Sequence, residues 1–504
     1  MDRRSFIRTG STAFAVGAAG PALLSARGDG RVPEDALKDL AAKLKGKLLL
    51  PGSPDFAARN LPANDVYGDV RPKAIALCAD ARDVATCVTW CREEGVQPVV
   101  RGGGHNYVGA STTTGLPIKT TRMDKISVDE RDGTVTVQAG ALNGDLLATL
   151  RGGSLMLPIG TCPTVGVAGL TLGGGIGDNS RWAGMTSDGL CSTEVVLAPG
   201  HRVTADRQQN SDLLWACQGG ADGNFGINTS MTFDLVPLHR RTITVYGMLF
   251  QGAERAAAAF AAFDKLMLTA PVWLSGFIGV TNQRPLGAAA GSPRASSLFP
   301  QLSLDGSYIG PADEFGDLLA PMTAAAAPAG YLVGEFEYWT AQIQWLAVPS
   351  QPRHGFAEGA RFANAALPNA AISEPVSRVS DAPGGTSDAC AEARLLCWSG
   401  GHVINGVDPA ATAYAHRDSN SLLQPAVWWT DTKPALQRDL LDWMSRSWDY
   451  IRPFTQDQSF QNWPYQSTKD WHSAYYGGNF PKLVAVKKRL ENVFHYSQSI
   501  PTSV

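Results

Sequence analysis

Two nucleophilic side chains, His105 and Cys162, each stand in a glycine-rich stretch. His105 follows Arg101-Gly102-Gly103-Gly104 and precedes Asn106-Tyr107-Val108-Gly109; Cys162 lies in Thr161-Cys162-Pro163-Thr164-Val165-Gly166-Val167-Ala168-Gly169. A neutral imidazole attacks electrophiles near neutral pH, and a thiolate does so more strongly once electropositive surroundings lower its pKa. Both types suit covalent attachment to an electron-poor ring. Taken singly, a His capping a turn or a Cys filling a core is the commoner fate of either residue.

The glycines give the pair its context. Residues 98–101 read as a short buried strand, and three glycines directly after it free the backbone and leave no side chain between amide groups and an anion. That is a phosphate cradle. Gly173-Gly174-Gly175, with Gly177, adds a third glycine segment, and Asp212-Leu-Leu-Trp-Ala-Cys-Gln-Gly-Gly-Ala-Asp-Gly-Asn-Phe-Gly226-Ile227 a fourth.

These motifs, with Ala474-Tyr-Tyr-Gly-Gly-Asn479 and Asn492-Val-Phe-His-Tyr-Ser-Gln-Ser-Ile500 near the C-terminus, resemble the berberine-bridge-enzyme-like flavoproteins. The likeness runs from about residue 70 to the end. It implies the FAD-linked oxidases of the vanillyl-alcohol-oxidase fold, with His105 and Cys162 both bonded covalently to the isoalloxazine ring. Cofactor contacts are then expected from Arg101, Gly102, Gly103, Gly104, Asn106, Tyr107 and Gly109, and from Thr161, Thr164, Val165, Gly166, Val167 and Gly169. The same holds for Gly173, Gly174, Gly175, Gly177, Gly226, Ile227 and Tyr476. Asn479 and Gln498 are expected to hydrogen-bond the flavin ring edges, as amides can. The resemblance also places Val167 beside the oxygen route to the flavin, where a modest side chain favours an oxidase that makes hydrogen peroxide.

The general base is less legible. In the resembling family it comes from the substrate-domain sheet or from a tyrosine just before the Tyr-Tyr-Gly segment. Here His402, Asn405 and Gly406 stand where a Glu or Tyr is expected, and the tyrosine-x-Asn-tyrosine segment reads Phe460-Gln461-Asn462-Trp463. The candidates that remain are Tyr465, His402 and Tyr338, or a different kind of proton acceptor.

The elements that must position these residues follow from periodicity. Residues 74–78 and 97–101 read as strands around a helix over 81–94, a β-α-β unit ending at the cradle. Residues 125–137 alternate like strands broken at Asp132-Gly133; 143–150 is a helix, 195–204 a hairpin and 228–236 a strand. Residues 31–240 thus make the N-terminal part of a flavin domain, and 451–504 return to it. Between them, 241–450 is expected to be a substrate domain: strands at 242–250, 272–280, 298–309, 394–404 and 421–429 form an antiparallel sheet covered on one side by helices such as 253–268 and 434–450. The fold class is α+β. Residues 285–297 and 349–385 read as loops, the second hard to assign. Trp463 has the better claim among the C-terminal tryptophans to face a pocket, whereas Trp443 and Trp448 belong to a core.

Composition bounds the rest. The chain has 504 residues, 44% hydrophobic and 18% charged, with a net charge of −3, so it carries no nucleic-acid footprint. Asp2-Arg3-Arg4-Ser5-Phe6-Ile7-Arg8, then a small-residue and apolar run to Leu24-Ser25-Ala26, forms a twin-arginine signal segment over 1–26 and predicts a periplasmic or secreted protein handled by the twin-arginine export machinery. The apolar run is too short to span a membrane, so no stable membrane association is expected. Eight cysteines do not describe a disulfide scaffold, and Cys87 and Cys91 lack a second pair at zinc spacing, so no metal is expected. The expected partners are a small-molecule substrate, an alcohol or C–H group of a carbohydrate or secondary metabolite, and molecular oxygen.

Overall fold

The computed structural model describes residues 32–221, 223–283, 299–347, 353–383, 391–430, 433–490 and 500–502. The twin-arginine segment, residues 285–297 and Gln498 lie outside them.

A first sheet contains β1 (Lys47–Leu49), β2 (Ile75–Leu77), β3 (Pro98–Arg101) and β4 (Leu116–Lys119) in the order β1-β2-β4-β3. The β-α-β unit exists, with its helix at Ala81–Glu93, but its two strands are not neighbours. β4, which the sequence reading missed, pairs in parallel with both. The sequence Leu116-Pro-Ile-Lys119 is buried throughout and shows no alternation to betray it. The helix starts where the Asp80 carboxylate accepts from the amides of Arg82 and Asp83, an N-cap.

The second sheet is antiparallel: β5 (Ile126–Asp129), β6 (Thr134–Gln138), β8 (Leu190–Val196), β9 (Arg202–Asp206) and β10 (Ile227–Asp234), in the order β5-β6-β10-β8-β9. The short pair β7 (Leu155–Met156) and β11 (Val236–Pro237) stands beside it. Val135, Val137, Met231 and Phe233 of this sheet share one buried cluster with Tyr475, Tyr476, Leu483 and Val484, so the C-terminal segment packs back onto the glycine-rich half.

A third sheet, antiparallel throughout, comprises β12 (Thr242–Gln251), β13 (Leu274–Gln283), β14 (Phe299–Tyr308), β15 (Gly330–Glu337), β16 (Gly355–Glu358), β17 (Arg361–Ala363), β18 (Ala391–Ser399) and β19 (Ser421–Trp429). Its order is β15-β12-β14-β13-β18-β19-β16, with β17 also on β19. One face is covered by the helices Ala253–Thr269, Ala312–Ala325, Asn369–Ser380 and Pro434–Ile451. Phe260, Phe263, Leu319, Val376, Trp443 and Met444 from these helices meet Met248, Ile278, Leu304, Leu395 and Val427 from the strands. Because side chains alternate along a strand, the residues between those positions face the glycine-rich half.

Two expectations change here. β18 ends at Ser399 rather than near 404, because Gly401 and His402 both take positive φ (83° and 49°) and turn the chain away. The hard region 349–385 contains β16, β17 and the helix Asn369–Ser380, and β16 brings the carboxyl described next.

Candidate active site

The two glycine segments meet backbone to backbone. A Cβ on Gly103 would stand 2.6 Å from the Gly166 nitrogen and 2.9 Å from the Thr164 carbonyl oxygen, so only glycine fits there. This contact brings the nucleophiles together. Thr164 Oγ1 lies 3.1 Å from His105 Nε2 and 3.4 Å from Cys162 Sγ. The Cys162 loop is held in turn by Asn143, whose amide donates to the carbonyls of Gly160 and Cys162. Burial lowers the His105 pKa, with a smaller push from His354, so its imidazole is neutral and nucleophilic at physiological pH.

Beneath the cradle lie two buried cations. Arg101 and Lys119 are register partners at the ends of β3 and β4. Arg101 gives hydrogen bonds to the carbonyls of Ser111 and Asn60, and Lys119 to that of Arg59, yet Arg101 Nη2 is buried without a partner. Among the described residues no carboxylate pairs with either. Burial depresses both, Arg101 to about 10 and Lys119 to about 8. Uncompensated positive charge, a bare glycine backbone and a His/Cys pair fit an anionic, electrophilic cofactor such as FAD. His105 and Cys162 would hold its ring, and the amides of residues 102–104 its phosphates.

Across the gap from His105 and Cys162 stands Glu358, at the end of β16. It is 4% exposed. Trp428 Nε1 donates to one carboxylate oxygen, and Gln424 Nε2 donates to the other at 2.6 Å. The Tyr107 phenol also hydrogen-bonds it. Burial outweighs these donors and the nearby Arg394, and the Glu358 carboxyl is pushed up to about 7. Tyr107 is driven well above the usual phenol range by burial and then by the charge of Glu358, so it stays protonated as a donor. Phe356 packs edge-on against Tyr107, and Asn64 bonds the carbonyls of both residues, tying β16 to the cradle.

Glu358 was missed because 349–385 carried no clear pattern. The available signal was the short alternation Phe356-Ala357-Glu358 flanked by glycines at 355 and 359.

None of the three expected bases joins this group. Tyr465 packs on Trp448 in the helix-covered core, in the turns that follow Phe460. Tyr338 is buried against Trp339 and bonds Asn179, and burial raises its pKa. His402 sits in the left-handed turn after β18, its Nε2 3.0 Å from the Ala270 carbonyl oxygen, beside the Arg181 guanidinium.

Several expected cofactor contacts have other work. Asn479 spends its amide donors on the carbonyls of Pro409 and Thr412. Tyr476 is buried against Phe480 and Trp471. Asn106 accepts from the amides of Val108 and Ala110 in its own turn. Gly109 takes a φ of 74° against the Tyr67 ring, and Gly173, Gly174, Gly175 and Gly177 are glycine because Asn462, Tyr414, Thr186 and the Ile159 carbonyl occupy the Cβ positions. Gly226 likewise fits against Val195, placing Ile227 at the start of β10. Gly102, Gly104, Thr161, Val165, Val167 and Gly169 lie along the two segments that form the cradle, with Val167 fully buried at the start of a short helix. Trp463 packs at a tilt against Trp398 on the sheet face turned toward the cradle. Behind them His416, its nitrogens satisfied by Gln458 and the Tyr475 carbonyl, is held at a pKa of about 4, and Arg417 pairs with Asp188.

Comparison with known proteins decides the family. Residues 72–206 match the FAD binding domain family, and residues 459–501 match the family described as "Berberine and berberine like". The "Uncharacterized FAD-linked oxidoreductase YgaK" of Bacillus subtilis is 30% identical over 468 residues, covering 91% of this chain and 97% of that one. The chain belongs to the berberine bridge enzyme-like FAD-linked oxidoreductases. The structure of Physcomitrella patens BBE-like 1 superposes with a TM-score of 0.80 at 26% identity, covering 93% of this chain and 99% of that one. The glucooligosaccharide oxidase of Sarocladium strictum is 37% identical over 185 residues, 35% of this chain and 37% of that protein. Among the described residues this family member has no three-ligand metal cluster and no helix long and apolar enough to cross a membrane.

Proposed function

We propose that this oxidoreductase is an exported oxidase that carries FAD bonded to both His105 and Cys162, and that it oxidises an alcohol or C–H group of a carbohydrate or secondary metabolite with O2 as acceptor. The observation that carries this reading is the single Thr164 hydroxyl within hydrogen-bonding reach of both nucleophiles. One polar point orients both toward one ring. The name of the Sarocladium relative supports the carbohydrate half of the substrate range.

When bound, FAD supplies the two-electron acceptor that takes hydride from substrate and returns it to O2 as peroxide. The chain supplies the proton chemistry. Glu358, whose carboxyl burial pushes up to about 7, accepts the substrate proton. Tyr107, kept protonated, stands beside it and passes or positions that proton without becoming a stable phenolate. Gln424 and Trp428 fix the carboxylate and steady its ionised form. A positioned base of this kind contributes roughly 10²–10⁴ in rate.

The test is aerobic turnover across a panel of alcohols, sugars and polyphenols with peroxide measured against substrate consumed. One peroxide per substrate supports the oxidase. Turnover that requires an artificial acceptor and makes no peroxide would show a dehydrogenase instead.

A further inference from the structure

The Gln424 amide stands between the floor of the gap and the groups that handle the proton. On β19, Leu423 and Val427 enter the helix-covered core, so Leu422, Gln424, Ala426 and Trp428 face the glycine-rich half. Trp398 on β18 is the register partner of Leu422, and Glu358 on β16 that of Ala426. Gln424 is therefore the diagonal neighbour of both, one on each side, a spacing that long side chains bridge. It is 2% exposed, so its polar atoms must find partners within the protein. Trp398 Nε1 donates to Gln424 Oε1 at 3.1 Å, and Gln424 Nε2 donates to Glu358 Oε2 at 2.6 Å. Gln424 also hydrogen-bonds the Tyr107 phenol.

An indole N–H donates and never accepts, so Trp398 can face the oxygen of the amide and not its nitrogen. That fixes which end of Gln424 points at the proton acceptor. Trp428, a second indole, donates to the other carboxylate oxygen, so both oxygens of Glu358 accept from groups that cannot accept in return. Of the three side chains that bond the carboxyl, Tyr107 alone has an oxygen able to receive a hydrogen bond from it once it is protonated. The Trp398 ring is itself held, 4.4 Å from the Phe277 ring and 5.4 Å from that of Trp463. Among the described residues Trp398 is the one donor to Gln424 Oε1. The charged and titratable groups that bear on Glu358 are Arg394, which lies over the Trp428 ring and pairs with Glu392, and Tyr107, which Cys162 faces in turn.

We propose that Trp398 is a positioning residue for the proton acceptor: its indole N–H locks the Gln424 amide with the N–H donors toward Glu358 and Tyr107 and the carbonyl away from them. This rests on the reading of Glu358 as the group that accepts the substrate proton. Locked in this sense, the amide favours the ionised carboxylate, the form that can take a proton. Turned over, it would present a carbonyl to Glu358 and favour the protonated form, which cannot. The aromatic floor thereby holds the acceptor ready through one hydrogen-bond chain, Trp398 to Gln424 to Glu358.

Infrared difference titration of the full, flavin-loaded chain tests this without any substrate. Each protein is read against its own E358Q counterpart, which isolates the carboxylic C=O stretch of Glu358 and its loss as pH rises. In W398F the amide is free to turn its carbonyl toward Glu358, so the midpoint should rise by roughly half a pH unit or more. Q424L should raise it as well, and W398F/Q424L no further than Q424L, because Trp398 acts through the amide. F277L loosens the floor and breaks no hydrogen bond, so its midpoint should match wild type. Retained flavin and a cooperative melt check folding; Trp398→Met replaces W398F if that variant fails the check. A smaller or downward shift in W398F, shifts that add in the double variant, or an equal shift in F277L would overturn the proposal. Failure of the oxidase reading shows elsewhere, as a wild type that makes no peroxide from any member of the substrate panel while the titration behaves as stated.

Discussion

Thr164 holds its hydroxyl 3.1 Å from Nε2 of His105, across the seam where the two glycine segments touch. Thr164→Val keeps the shape and removes the hydroxyl that also reaches Cys162 at 3.4 Å. A neutral hydrogen bond contributes about 1 kcal/mol, so the chain should still fold. The fraction of protein carrying flavin resistant to acid release should fall several-fold, read from the flavin absorbance of the precipitate.

Glu358 ties activity and stability to pH. Its folded pKa of about 7 lies above the ordinary value of 4.5. Below about pH 4.5 the carboxyl is protonated in both states and adds no penalty. Between there and about 7 the unfolded chain releases its proton first, so stability falls as pH rises, by an amount on the order of 3 kcal/mol in total. Glu358→Gln removes that slope. Urea melts at pH 4.5 and 8 should show the variant gaining on wild type at the higher pH, whatever fixed offset the new amide introduces. Turnover should fall by roughly 10²–10⁴, and the rate rise toward pH 7 expected of the wild type should be absent.

At Gly103 the two glycine segments approach too closely to admit a side chain. Gly103→Ala puts a methyl 2.6 Å from the Gly166 nitrogen, a backbone atom that has no free rotation to escape. Overpacking of this kind costs roughly 1–3 kcal/mol, and flavin content should drop with it. Gly478 has nothing within 4 Å of its Cβ position and no positive φ, so Gly478→Ala should leave melting and flavin content unchanged.

The cradle was legible because glycine runs beside His105 and Cys162 are short-range patterns, and because close backbone contact demands glycine in the sequence itself. β12, whose second half alternates between buried and half-buried residues, was legible for the same local reason, and β19 by its length as an apolar run. Glu358 was not, since nothing near 358 says that β16 pairs with β19 and lays its end against Tyr107, some 250 residues earlier in the chain. The same limit hid β4, whose four buried residues owe their strand to partners on both sides. Tyr465, His402 and Tyr338 were reasonable by residue type and were placed elsewhere by packing and by the turn at Gly401 and His402.

One flavin joined to both His105 and Cys162 is the chemistry proposed for this protein. The direct measurement is acid denaturation of the purified protein, digestion, and mass mapping of the flavin-bearing peptides, with His105→Ala, Cys162→Ala and the double variant in parallel. A cross-linked species containing the His105 and Cys162 peptides, one-bond attachment in each single variant, and release of flavin in the double variant are expected. Flavin recovered wholly in the supernatant from wild type, or freed by either single substitution, would contradict two covalent links.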